Sequence, residues 1–208
     1  MDAGTGWGIA RFRAVVCRAA RHPGFVHHRW YVEYHLVLVE RIARELCDVY
    51  PDADCGLVQI LVWLHDYGKL IDRANEHAAT LAYGQAALLA CGLGPDLVAR
   101  ALRYYELFER YDAIARAPLE VRIASSADGA AHLVGPFYAI WWHEHPERDI
   151  PMLMADNRRK ALIDWDKKIV LPEVRAAFAA RHRLLLEDCG NFPGTFLGPT
   201  TSVDPSAD

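Results

Sequence analysis

The stretch GLVQILVWLHDYGKL, residues 56–70, decides the fold of this chain. Its first nine residues are apolar on nearly every side, which predicts a central and fully buried helix. Asp54 stands before this helix as a candidate N-cap, and Gly68 follows as a candidate C′ residue that ends it. The helix therefore runs into His65 and Asp66, two groups that are costly to bury unless a partner compensates them.

Helical spacing continues over most of the remaining chain. Apolar residues recur at helical intervals in five further segments, namely residues 7–21, 30–50, 75–94, 95–111 and 118–135. Residues 155–189 show the same pattern with an interruption near Pro172. Residues 136–152 are aromatic, contain three prolines and lack a sustained period, so we expect a loop or a short pair of strands there. The sequence as a whole predicts an all-α helical bundle.

Size and composition fit one soluble domain. The 208 residues are predicted to form a single bundle over residues 1–190, followed by a flexible tail at 191–208 that is rich in Pro, Ser, Thr and Gly. The net charge of −4 provides no basic excess, so we expect no nucleic-acid partner. Five cysteines without a C-x-x-C pair exclude a complete disulfide framework and favour reduced thiols. With no signal-type apolar core and no membrane-spanning run, the prediction is a cytoplasmic protein without a membrane partner.

Two more ionisable residues occupy positions where a core residue belongs. His35 falls within a helical stripe that contains Tyr34, Leu38 and Ile42, so its side chain is predicted to point inward. Asp128 lies on one helical face with Val121, Ala124 and Ala131, among small residues that let helices approach closely. Three apolar helical segments therefore each carry an imidazole or a carboxylate toward the core.

Imidazole nitrogens and carboxylate oxygens are both ligands of divalent metals. The pattern therefore predicts one bound divalent cation, with His35, His65, Asp66 and Asp128 as its ligands. Mn, Co, Ni, Fe, Zn and Mg are all candidates. The alternative for His65 and Asp66 alone is a histidine at a helix end that is bonded to a neighbouring carboxylate.

The order of these residues, a lone His35, then His65-Asp66 with Gly68-Lys69, then the distant Asp128, resembles the HD-domain superfamily of metal-dependent phosphohydrolases. The resemblance covers about residues 25–135, with a helical extension at about 155–189. It implies a helical bundle whose metal activates water against a phosphate ester. The implied substrate is a small phosphorylated metabolite, with nucleotides among the candidates, and a homodimer is an allowed assembly.

The resemblance also implies roles in catalysis. Asp66 would bind the metal and orient the attacking water, and Lys69 would neutralise charge on the phosphate. His77 would protonate the leaving oxygen or hold a second, weaker metal. The non-functional alternatives are that Lys69 is a solvated lysine after a helix end and that His77 is an exposed side chain in the first turn of a helix.

The chain departs from the binuclear members of that superfamily at one position. Those members have two histidines between the HD pair and the last aspartate, and His77 is placed like the first of them. Tyr104 and Tyr105 stand where the second is expected, and a phenol with a pKa near ~10 is a poor ligand at neutral pH. We therefore expect a single tightly bound metal. An iron-dependent oxygenase on the same scaffold ranks second, and a non-catalytic nucleotide-sensing module remains the non-enzymatic alternative.

Two further segments have open interpretations. His143 and His145 in WWHEHP are two positions apart, so they do not share a helical face, and a rim or lid segment is expected there. Residues 157–160, NRRK, form either a solvated helix face or a contact to a substrate phosphate.

Overall fold

The computed structural model describes residues 3–197, and no β-strand occurs in that range. The predicted all-α fold is therefore confirmed. Part of the predicted flexible tail, residues 198–208, lies outside the described residues. The α-helices within residues 3–197 are α1 (Ala3–Ala20), α2 (Val37–Val49), α3 (Cys55–Leu64), α4 (Glu76–Ala90), α5 (Pro95–Phe108), α6 (Leu119–His132), α7 (Phe137–Glu144), α8 (Ile150–Ile163) and α9 (Pro172–Asp188). None of the described helices is long and apolar enough to cross a membrane.

Helix α3 is the centre of the bundle, as its composition predicted. It packs against α1, α2, α5 and α6, and nearly all its side chains are buried. Asp54 caps it through a 3.1 Å hydrogen bond that the Leu57 amide donates to Asp54 Oδ1. The prediction for Gly68 is wrong, because α3 already ends at Leu64 and Gly68 lies inside the following 3₁₀ turn, Tyr67–Leu70.

The helix that carries His35 begins with a π-turn, Val32–Leu36, which leads directly into α2. The predicted stripe was wrong in one member, since Tyr34 is 48% exposed while Leu36 is fully buried. A π-turn holds one more residue per turn than an α-helix, so a pattern with a period of 3.6 loses its register there. His35 itself is buried, as predicted.

Residues 136–152 contain α7 and the first residues of α8, joined by a short non-helical segment at 145–149, which corrects the expectation of a loop or a strand pair over the whole range. The prolines flank the helices instead of interrupting them, because Pro136 precedes α7 and Pro146 follows it. Pro151 lies in the first turn of α8, where its missing amide has no intrahelical partner to lose. Asp149 caps that turn by accepting a 2.8 Å hydrogen bond from the amide of Met152.

The C-terminal helices pack onto the face of α6. A second π-turn, Asp164–Lys168, joins α8 to the segment before α9 and lies against α6. The close approach depends on Gly129, where an added Cβ would lie 2.9 Å from Ile169 and 3.3 Å from the Asp164 carbonyl oxygen. Ser125 Oγ also donates a hydrogen bond to the carbonyl of Lys168. This packing brings side chains of the π-turn next to Asp128.

Candidate metal centre

Four side chains from three helical segments meet at the end of α3. His35 lies on the first π-turn, His65 and Asp66 directly follow α3, and Asp128 lies on α6. The Nε2 atoms of the two histidines are 3.4 Å apart. Each Nε2 lies 3.4–3.6 Å from Asp66 Oδ2 and from Asp128 Oδ1. The structure therefore brings together all four residues that the sequence predicted as metal ligands.

These separations match the spacing of ligands around a single ion. Tetrahedral ligands with bonds of about 2.0–2.2 Å lie about 3.3–3.6 Å from one another. Side chains that only hydrogen-bond to each other approach more closely, to about 2.7–3.2 Å. All four residues are buried or nearly so. Within this cluster, His35, His65 and Asp66 form one group that can hold a metal ion.

Each aspartate keeps one oxygen for the cluster and gives the other to a lysine. Lys69 Nζ lies 2.7 Å from Asp66 Oδ1, and Lys168 donates to Asp128 Oδ2. Tyr31 donates its hydroxyl to Asp66 Oδ2, the oxygen that faces the histidines. Burial favours the neutral acid, but the neighbouring positive charges outweigh it and hold the pKa values of Asp66 and Asp128 well below their usual range. Both side chains are therefore carboxylates, the form that binds metal.

The tautomer of His65 is fixed by the backbone. His65 Nδ1 lies 2.8 Å from the carbonyl oxygen of Val62, which can only accept, so Nδ1 carries the proton. This arrangement leaves the Nε2 lone pair directed at the cluster, as is usual for a metal ligand. Burial lowers the pKa of His65, but Asp66 and Asp128 raise it by more, so a cation competes with a proton for Nε2. Burial also lowers the pKa of His35, which favours its neutral, metal-binding form.

A third histidine, His132, belongs to the cluster and was missed by the sequence analysis. Its Nε2 lies 3.7 Å from Asp128 Oδ1, and its ring is parallel to that of His35 with centroids 4.9 Å apart. His132 Nδ1 donates over 3.0 Å to Asp164, which is fully buried and paired with Lys160. Burial and the Lys160 charge lower the pKa of His132 to about 4. His35, Asp128 and His132 thus form a second group that can hold a metal ion.

The cluster opens into a cavity of about 230 Å³. Aromatic rings form much of its wall, contributed by Trp30, Tyr31, Phe108, Tyr111, Phe137 and Trp141. Its cationic side chains are Lys69, Arg73, Lys160 and Lys168, and its carboxyl groups are Asp66, Glu76, Glu109, Asp128 and Glu144. The cavity therefore combines a candidate metal centre, charged side chains of both signs and flat apolar surfaces.

Other predicted residues lie in different places. Lys69 lines the cavity, whereas His77 is exposed on α4 and does not line it. The His77 ring packs on Tyr105, with centroids 5.4 Å apart, so these two residues are neighbours. His143 and His145 also lie outside the cavity wall, while Trp141 and Glu144 of the same helix form part of it.

The residues that the sequence analysis missed differ in how visible they are in the sequence. His132 follows Asp128 by four positions, so both side chains lie on one face of α6, and this spacing alone pointed to it. Tyr31 precedes His35 by four positions, a similar signal that the π-turn obscures. Lys168 is forty positions from Asp128, and no local pattern indicates that pair.

Comparisons with family models, curated proteins and solved structures find no match to this chain. The description of this protein therefore rests on its own fold and on the geometry of its candidate metal centre. It is an all-α protein with buried histidine and aspartate side chains that can hold a metal ion. Its resemblance to the HD-domain superfamily stays a hypothesis drawn from the sequence.

Proposed function

We propose that this protein is a metal-dependent phosphohydrolase of the HD-domain type, which hydrolyses a phosphate ester of a small metabolite such as a nucleotide. One observation carries the proposal. Two imidazole nitrogens lie 3.4 Å apart and each lies 3.4–3.6 Å from an oxygen of Asp66 and of Asp128, at a cavity that also presents four cationic side chains. We assign His35, His65, Asp66 and Asp128 as the ligands of one divalent ion.

Charge balance supports a bound cation and an anionic substrate together. With neutral histidines, the four cationic side chains and five carboxyl groups of the wall leave one net negative charge, which repels a phosphate. A divalent ion reverses that balance to one net positive charge. When bound, such an ion lowers the pKa of a water molecule toward neutrality and polarises a phosphoryl oxygen.

The side chains around the ligands have separable roles. Lys69 and Lys168 neutralise the outer oxygens of Asp66 and Asp128, and both reach the cavity, where they attract the phosphate. Asp66 Oδ2 is the oxygen beside which the attacking water would be oriented. Burial and the nearby carboxylate raise the pKa of Tyr31 well above its usual value, so Tyr31 stays a hydrogen-bond donor.

The aromatic wall suits an organic leaving group. Flat rings such as Trp30 and Trp141 provide stacking surfaces for a planar base, which supports a nucleotide among the candidate substrates. His77 lies outside this wall, so its predicted role as the acid gains no support from its placement.

We expect close to one tightly held metal per chain. The two groups of side chains that can hold a metal ion share His35, and one imidazole lone pair can bind only one ion. A second ion would keep only His132 and one oxygen of Asp128, which makes a weak site. Elemental analysis of protein dialysed against metal-free buffer measures the number. Two ions that resist dialysis would contradict the expectation and favour the binuclear oxygenase alternative.

Phosphate release tests the proposed activity. The purified protein would be screened with phosphorylated metabolites, including nucleotides, in the presence of Mn²⁺, Co²⁺, Ni²⁺ or Mg²⁺. We expect inorganic phosphate release from a subset of substrates, lost on chelation and restored by metal. Iron-dependent oxygen uptake without phosphate release would support the oxygenase instead. Nucleotide binding without turnover under any metal would support the sensing module and refute the hydrolase.

A further inference from the structure

A second, open depression of about 830 Å³ lies beside the metal cavity, and we call it the basic groove. It is formed by the end of α1, the turn that follows α1, and the two 3₁₀ turns between α3 and α4. Lys69 and Arg73 line both the groove and the metal cavity. The two spaces are therefore adjacent, and these two cations face both of them.

The groove differs from the cavity in its charge. Its lining contains Arg18, His22, Lys69 and Arg73 and no acidic residue, whereas the cavity wall contains five carboxyl groups. Arg18 and Arg73 form no hydrogen bond or ion pair with any residue in the described part of the chain. The Gly24 amide donates to His22 Nδ1 over 3.1 Å, which leaves the Nε2 proton of His22 as a free donor.

Arginines without carboxylate partners are suited to an external anion. Most cations around the metal centre are already paired, Lys69 with Asp66, Lys168 with Asp128 and Lys160 with Asp164. A guanidinium group binds phosphate through two parallel hydrogen bonds, which is stronger and more directional than a single contact. In the groove, Arg18 and Arg73 therefore offer an anion hydrogen-bond donors that no carboxylate of the described chain already binds.

The floor of the groove adds an apolar component. Val15, Val26 and Ile71 line it and are 38%, 55% and 44% exposed, respectively. Exposed apolar side chains gathered in one concave surface favour contact with the carbon skeleton of a ligand. The groove therefore fits an organic molecule with an anionic end better than an inorganic ion alone.

We propose that the basic groove binds a second phosphate of the substrate, joined by an organic body to the phosphoryl group that lies at the metal centre. Arg18 and His22 bind that distal phosphate, and Arg73 lies at the junction of groove and cavity. The substrate is therefore a bisphosphorylated molecule. This inference rests on the proposed function for its reacting phosphate, but the groove itself is tested by binding alone.

The test compares ligands that differ only in the second anionic group. Alkane-α,ω-bisphosphonates of four, six and eight carbons and the monophosphonates of equal length would be titrated by calorimetry into the full-length protein with its resident metal. Their carbon–phosphorus bonds resist phosphatase cleavage, so binding is measured without turnover. At about 0.15 M salt, we expect at least one bisphosphonate to bind about tenfold more tightly than its monophosphonate partner.

Variants assign that preference to the groove. Arg18→Ala should remove most of the tenfold preference and leave monophosphonate binding unchanged, because Arg18 lines only the groove. Arg29→Ala is the matched control, since Arg29 is exposed and lines neither space. Equal binding of both ligand types at every length, or a preference that survives Arg18→Ala, overturns the proposal. The proposal is also overturned if Arg18→Ala and Arg29→Ala reduce the preference for the bisphosphonate equally.

The same data separate this proposal from the proposed function. An Arg18-dependent preference in a protein that releases no phosphate from any ester would support the groove and refute the hydrolase. Phosphate release from esters, with no preference for bisphosphonates, would support the hydrolase and refute the groove.

Discussion

Replacing Asp66 by alanine is expected to remove the bound metal and to lower phosphatase turnover by at least about a thousandfold. Asp66 Oδ2 lies within 3.5 Å of both histidine Nε2 atoms, so its loss takes one ligand from the cluster. The loss of a single electrostatic donor already lowers turnover by about 10²–10³-fold in other enzymes. The loss of the ion should cost more, because the ion changes the net charge of the cavity wall from negative to positive.

Metal content and thermal unfolding measure this effect independently of activity. A ligand present at about a hundred times its Kd stabilises a fold by about 2.7 kcal/mol. For a chain of this size, that corresponds to a shift in Tm of about 5–10 °C. Chelation should lower the Tm of the wild-type protein by that amount and leave the Tm of Asp66→Ala unchanged.

The matched control for Asp66→Ala is His77→Ala. His77 is exposed and lies outside the cavity, so the metal content and Tm of this variant should match those of the wild-type protein. An Asp66→Ala protein that retains one metal per chain and a chelator-sensitive Tm would refute the assignment of Asp66 as a ligand. A His77→Ala protein without metal would show that the centre lies elsewhere.

Local patterns in the sequence were enough to predict the central helices and the inward placement of four residues of the candidate site. Helix α3 is buried on all sides, and its N-cap is Asp54, because apolar composition and capping chemistry act within a few residues. Asp128 is buried on α6 since its neighbours at helical spacing are apolar or small. Ionisable residues within such stripes are visible from the sequence because burial without a partner is costly.

The features that the sequence did not reveal depend on distant contacts or on irregular turns. Helix α7 has weak amphipathic spacing, and its rings pack against residues far away in the chain, such as Phe137 against Trp30. The π-turn that carries Lys168 has no distinctive local pattern, yet it places a buried cation on Asp128. The groove combines α1 with turns some fifty residues later, so its charge was not visible as a cluster.

Gly68→Ala is expected to destabilise the protein by about 3 kcal/mol or more, which corresponds to a fall in Tm of about 10 °C. A Cβ at this position would lie 1.8 Å from the carbonyl oxygen of Glu76 and 2.6 Å from Thr80 Oγ1. The 1.8 Å contact is with backbone, so no side-chain rotation relieves it. The Gly68 amide donates to Thr80 Oγ1 over 2.9 Å, which holds the turn against the first turns of α4.

The same substitution should weaken metal binding, because Gly68 lies between Asp66 and Lys69 along the turn. A shift of the turn away from α4 would displace the Asp66 carboxylate from the histidines and break its 2.7 Å pair with Lys69. Metal content and Tm should therefore fall together in Gly68→Ala. This close contact gives a physical reason for a glycine two residues after Asp66, where the backbone conformation alone does not require one.

Gly94→Ala is the matched control, since nothing lies within 4 Å of a Cβ added at Gly94 and its φ of −66° suits any residue. Its stability should stay within about 1 kcal/mol of the wild-type value. If Gly68→Ala kept the wild-type Tm and metal content, the turn could move away from α4 at little cost. Asp66 would then be held by its ligand contacts alone, and the glycine would have no role in positioning the metal centre.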